Sequence, residues 1–175
     1  MYHRSLNGNF AYIDNQNMYM ATHKGEHPWD IDMRKLRVYL EEKYNVIQAY
    51  LFMGAFDLQR QNLYMMLQQC GYILVFREHG IGLKGRKKGN VDVDIVFQMM
   101  RDAYESAQME KVVLLSGDGD YFRTVEHLIG MGKFEKLLVP SHKNASSLYK
   151  KLGDGAIAYL DDASMKKKIG KKCKK

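Results

Sequence analysis

Short apolar runs of four to eight residues alternate along this chain with longer segments of helical period, and that alternation restricts the fold more than any other feature. Runs at 10–13, 46–53, 72–76, 111–115, 134–139 and 156–160 have the length and composition of buried strands. Between them, 30–43, 58–69, 91–105 and 121–131 place apolar residues three and four apart, as amphipathic helices do, and a short helix is expected near 145–152. Strand–helix–strand order of this kind predicts an α/β domain with a mostly parallel central sheet covered by helices. Residues 77–89 are basic and Gly-rich, have no apolar period, and read as a loop. Asn90 is placed to cap the helix that follows.

At 175 residues the chain suits one domain. No apolar run approaches the roughly 20 residues needed to span a bilayer, so no membrane partner is expected. The first nine residues contain no apolar signal region, and two cysteines do not make a disulfide framework; the expectation is a reducing cytoplasm. The formal charge of +7 is localised, because Lys166, Lys167, Lys168, Lys171, Lys172, Lys174 and Lys175 fall in the last ten residues and the remainder carries 20 basic and 20 acidic residues. We expect a short extension over 1–8, the domain over 9–162, and a basic, disordered tail over 163–175. The tail either attracts a polyanion or serves only as a solubilising extension.

Aspartates cluster at three separated places: Asp14 after the first run, Asp92 and Asp94 at the start of the 91–105 helix, and Asp118 and Asp120 after the 111–115 run. Carboxyl ends of parallel strands are where open α/β sheets bind ligands. Two carboxylates about 4 Å apart repel by roughly 4 kcal/mol at an effective dielectric near 20, so a pocket of them needs a cation. Oxygen ligands of this kind suit Mg2+ or Mn2+. Two positions apart on a helix is a rotation of about 200°, so Asp92 and Asp94 are not expected to share one site, and Asp92 is the preferred ligand. Asn15 and Asn17 either offer side-chain amides to substrate or a metal-bound water, or cap a turn. Arg86, Lys87 and Lys88 lie just before Asp92, where cations would neutralise the phosphates of a phosphodiester, although such runs are also ordinary solvated loops. The histidines have no zinc-ligand spacing.

The ordered set Asp14-Asn-Gln-Asn17, Lys88-Gly-Asn-Val-Asp-Val-Asp94 and Ser116-Gly-Asp-Gly-Asp120 resembles the NYN domain, a LabA-like branch of the PIN-like ribonucleases. The resemblance runs over roughly 9–162 and takes in the late Asn144-Ala-Ser-Ser-Leu and the Ala-Tyr-Leu-Asp-Asp162 ending. It implies a three-layer α/β/α PIN-like domain whose acidic pocket binds Mg2+ or Mn2+ and cuts RNA, with RNA preferred to DNA as partner. Asp14, Asp92, Asp118 and Asp120 match the family's acidic positions, Asp94 its second acidic position on the helix, Asn17 the Asn of its first motif, and Ser116 a hydroxyl that contacts the site. The pair Tyr121-Phe122 departs from the single aromatic of many relatives.

Such a ligand set would let one or two metals bridged by Asp14 and Asp118 bind the scissile phosphate and activate water, with Asp120 or Asp92 holding a second metal or orienting the water. A phosphatase of the haloacid dehalogenase type would need a second acid at position 16, which is Gln. The alternative is a module of the same fold, catalytically weak, that binds RNA or a partner in a regulatory role; a toxin or defence nuclease is a third setting. The 12 Met and 12 Tyr suit either a packed core or the interface of a homodimer.

Overall fold

The computed structural model describes residues 7–24, 27–77, 91–153 and 155–171. Six strands form one sheet: β1 (Gly8–Asp14), β2 (Val46–Met53), β3 (Tyr72–Phe76), β4 (Met109–Leu115), β5 (Phe134–Val139) and β6 (Ile157–Tyr159). Their order is β3-β2-β1-β4-β5-β6, and every pairing is parallel. The expected α/β class holds, with a sheet that is wholly parallel. All carboxyl ends therefore meet at one edge, where Ile13 of β1 pairs with Leu51 and Leu115.

β1 is buried along its whole length, and its alternating residues feed two cores. Ala11 and Ile13 point to one face, packed with Leu36 and Leu40 of α2 (Met33–Tyr44) and Leu67 of α3 (Gln61–Gln69). Phe10 and Tyr12 point to the other, against Ile95 and Met99 of α4 (Val91–Glu105) and Val125 and Leu128 of α5 (Phe122–Gly130). Period-2 side-chain alternation on a sheet covered on both sides thus produces the three layers. Beneath α4 the carboxylate of Asp102 is buried, and the Tyr12 hydroxyl at 2.8 Å and the Gln98 amide donate to it.

Strands were legible to within two residues; the helices carry the differences. A helix not expected from the sequence, α1 (Asn15–His23), follows β1 without a break, because Asp14 caps it. α2 begins at Met33 and not at 30: the Asp32 side chain accepts from the backbone N–H groups of Arg34 and Lys35, which makes Asp32 the N-cap. The segments expected as helices at 58–69, 121–131 and 145–152 open with, or consist of, 3-10 turns at Leu58–Arg60, Gly119–Tyr121 and Ser147–Leu152.

Much of the segment expected as a disordered tail, 163–175, is ordered. Residues Ala163–Ile169 form a helix, α6, whose Ile169 is fully buried in the first core with Met165 packed beside it. Ile31 and Gly170 form an antiparallel bridge, and the Lys35 ammonium donates to the Gly170 carbonyl at 2.7 Å. The apolar pair Met165 and Ile169, spaced four apart on one helical face, docks this segment despite the like charges of its lysines. Two lysine ammonium groups then lie over aromatic rings, Lys166 Nζ over Trp29 at 5.5 Å and Lys168 Nζ over Tyr39 at 5.0 Å. Residues 172–175, all but Arg77 of the loop expected at 77–89, and the expected cap Asn90 lie outside the described residues. No described helix is long and apolar enough to cross a membrane.

Replacing Asp32 with Ala should cost about 1 kcal/mol, the scale of a lost N-cap. Urea unfolding checks this: the midpoint should fall with an unchanged slope, whereas an unchanged midpoint would show that the cap contributes nothing.

Candidate metal centre

Asp14 is the last residue of β1 and the N-cap of α1, its Oδ1 accepting from the Asn17 N–H at 2.9 Å. The aspartate is thereby fixed at a strand end with its second oxygen, Oδ2, left to other partners. On the neighbouring strand, β4 runs out at Leu115 into Ser116-Gly117-Asp118. Asp118 in turn caps the 3-10 turn Gly119–Tyr121, accepting from the Asp120 N–H at 3.1 Å.

Two glycines make this turn possible by allowing close approach. A Cβ on Gly117 would sit 2.9 Å from the Asn144 carbonyl oxygen, and one on Gly119 would overlap Ser146 Oγ. The Gly117 N–H donates to Asn17 Oδ1 at 2.8 Å, and Ser146 N–H donates to the Gly117 carbonyl at 3.0 Å. Asn17 therefore ties the β1 end to the β4 end. Ser116 is fully buried, and its Oγ accepts from the Asp118 N–H at 3.2 Å, so its hydroxyl shapes the loop.

Carboxylate oxygens of Asp92, Asp118 and Asp120 all come within 4.8 Å of one another. One comes from the first turn of α4 and two from the β4 loop, so residues far apart in sequence converge on one point. Asp92 and Asp118 are half-buried and Asp120 is exposed. Asp14 stands beside this group, joined to it through Tyr121, whose hydroxyl lies 2.6 Å from Asp92 Oδ1 and 3.1 Å from Asp14 Oδ2. Asp94 is exposed and lines a different recess with Phe97 and Arg77, as the helical rotation predicts. Asn15, half-buried, lines a cleft beside α1. Arg86, Lys87 and Lys88 lie outside the described residues.

Burial pushes the Asp14 carboxyl above the ordinary carboxylate range, and the charges of Asp92 and Asp118 add to this; the Asn17 N–H and Tyr121 hydroxyl oppose it. Tyr121, fully buried, is held well above its usual value by burial and then by the Asp14 and Asp92 carboxylates, so it stays a neutral donor. Tyr149 is also raised by burial and the neighbouring aspartates, and its hydroxyl donates to the Asp118 carbonyl. These two tyrosines were not singled out as site residues from sequence. The visible signal was Tyr121 itself, an aromatic with a polar end set directly after an acidic pair; Tyr149 left none.

The donor chemistry fits a hard divalent cation. Three carboxylates within 4.8 Å offer oxygen ligands only, and their mutual repulsion is relieved by positive charge. A residue set of this kind can bind a metal and, through it, an anionic substrate.

Comparison with known proteins agrees with this reading of the fold. The chain is 27% identical over 158 residues to the low amplitude and bright protein LabA of Synechococcus elongatus (strain ATCC 33912 / PCC 7942 / FACHB-805), covering 82% of each chain. Its fold is similar to a crystal structure of a protein of unknown function from Vibrio parahaemolyticus RIMD 2210633, with a TM-score of 0.72 and 19% identity over 89% of this chain and 94% of that one. The model of the NYN domain family matches residues 11–159, from the middle of β1 to the end of β6, and the chain belongs to that nuclease-like family.

Proposed function

We propose that this protein is a metal-dependent ribonuclease that hydrolyses RNA phosphodiester bonds at the edge formed by Asp14, Asp92, Asp118 and Asp120. The observation that carries the reading is the convergence of the last three carboxylates within 4.8 Å. Asp92, Asp118 and Asp120 would hold Mg2+ or Mn2+, with Asp14 completing the set from beneath. When bound, the metal supplies charge stabilisation for the phosphate and lowers the pKa of a water.

The chain's own groups then do the positioning. Tyr121 keeps Asp92 and Asp14 in fixed orientation, and the Asn17 contact to Gly117 holds the two strand ends at constant separation. Asp94, pointing elsewhere, would contribute only through the field it adds. Asn15 and Asn17 would flank the substrate on the α1 side. Lys88 precedes Asp92 by four residues and is the cation nearest to it in sequence; Arg86 and Lys87 would add to it in neutralising flanking phosphates. A cytoplasmic setting suits this substrate.

Cleavage of labelled single-stranded RNA and DNA with Mn2+, Mg2+ or EDTA tests the reading. RNA should be cut in either metal and not in EDTA, and Asp118→Asn should lower the rate by about 100-fold or more, as expected when several kcal/mol of charge stabilisation are lost. RNA held by both proteins without cutting would leave instead a nucleic-acid-binding module of regulatory role.

The raised Asp14 carboxyl gives a second prediction. A carboxyl raised in the folded state contributes stability below its unfolded value of about 3.9, and that contribution is lost as pH rises through the folded value. In EDTA at neutral pH, Asp14→Asn should therefore raise the melting temperature by a few degrees, and the gain should shrink as pH is lowered towards about 4. A variant equal to the parent at neutral pH would mean that the charge is already relieved.

A further inference from the structure

A cleft of about 540 Å3 lies between α1 and α3, beginning beside the first residues of α1. We propose that it takes an unpaired nucleobase adjoining the scissile phosphate of a single-stranded RNA, an inference that rests on the ribonuclease reading above.

Three features point to that occupant. The cleft begins at the same sheet edge as the metal centre: Asn15, the residue after Asp14, lines it, as do Met53 and Gly54 at the end of β2. A strand of RNA with its phosphate at the carboxylates needs to cross only the start of α1 to place the next base there. The lining is mixed: Met18, Met33, Leu63 and Leu67 form an apolar part that suits the faces of a flat base, while the amides of Asn15 and Gln16 can pair with its edges. Tyr19, 55% exposed and stacked on His23 at 3.9 Å, adds an aromatic surface.

Charge supplies the third feature. Arg60 and Lys171 also line the cleft, both with exposed side chains. Among the described residues each makes a long contact to a carboxylate, Arg60 to Asp57 at 3.4 Å and Lys171 to Asp30 at 3.9 Å, and His23 already holds Asp30 at 2.5 Å. Exposed pairs of this length exchange readily for a phosphate. An apolar peptide or acyl chain would fill the walls but leave both cations and both amides without a role. The volume lies in the range of small-molecule sites and exceeds what one base requires, so a nucleotide enters without rearrangement of the core.

The test uses the full chain carrying Asp118→Asn, and measures by fluorescence anisotropy its affinity for a labelled single-stranded RNA and for a series with one abasic ribose moved along it. One position should stand out, its abasic substitution weakening binding about tenfold, the scale of one stacked base. Adding Leu63→Trp, which fills the cleft from a residue 38% exposed, should reduce that difference to below about twofold. Arg60→Ala, at an exposed position, should weaken the intact and abasic RNAs alike. A profile that is flat, or that keeps its sensitive position after Leu63→Trp in a protein with unchanged melting temperature, overturns the cleft while leaving metal-dependent cutting by the parent intact. Absence of both RNA binding and cutting overturns the ribonuclease reading, and the cleft proposal with it.

Discussion

The hydrogen-bond ladder that holds β1 between β2 and β4 is the constraint on which the rest depends. A strand paired on both sides and buried on both faces has no freedom in register, since a one-residue slip would exchange Ala11 and Ile13 with Phe10 and Tyr12 and misplace both cores. Its last residue is therefore fixed in space to the precision of the sheet. That residue is Asp14, and its partners across the ladder are the elements that carry the cleft on one side and the Asp118 loop on the other.

From that fixed point the acidic group is assembled by short-range contacts. Asn17 and Tyr121 are the two side chains that convert strand geometry into carboxylate geometry, the first by holding the Gly117 backbone, the second by touching two aspartates at once. Buried hydroxyls that must remain neutral make good spacers between charges, because they donate without adding charge of their own. The arrangement concentrates negative potential at one edge of a body, residues 1–165, whose 20 basic and 20 acidic residues balance only when that edge is counted. Stability and ligand affinity are set against each other there: each carboxylate added to the group disfavours the metal-free fold and favours the cation.

Much of the architecture was legible in the sequence because buried strands of a parallel sheet are short, apolar and separated by helical periods. β2, β3 and β5 match their expected bounds, and α4 does as well. The divergence of Asp94 from the group that Asp92 joins followed from helical rotation alone. What the sequence did not display were contacts across the fold. α1 has few apolar residues on any face and is held by its cap at Asp14, so periodicity passed over it. Tyr149 reaches the Asp118 carbonyl from a 3-10 turn 31 positions away, and no local pattern announces such a contact. α6 was hidden by lysines whose charge outweighed two apolar residues in the reading of composition.

The docking of α6 has a consequence for the order in which the chain can complete itself. Ile169 fills the first core together with Ile31 and Leu36, and Ile169, Gly170 and Lys171 bond to residues 30–35. On the ribosome, α2 emerges long before the segment that covers it. The sheet and the second core can close in the meantime, but the surface around Ile31 stays open to water until synthesis has passed residue 171. A nascent chain thus carries an apolar opening beside α2 from the synthesis of Ile31 until that of residue 171, and that is the interval in which chaperone capture or mispairing with another chain would act on it.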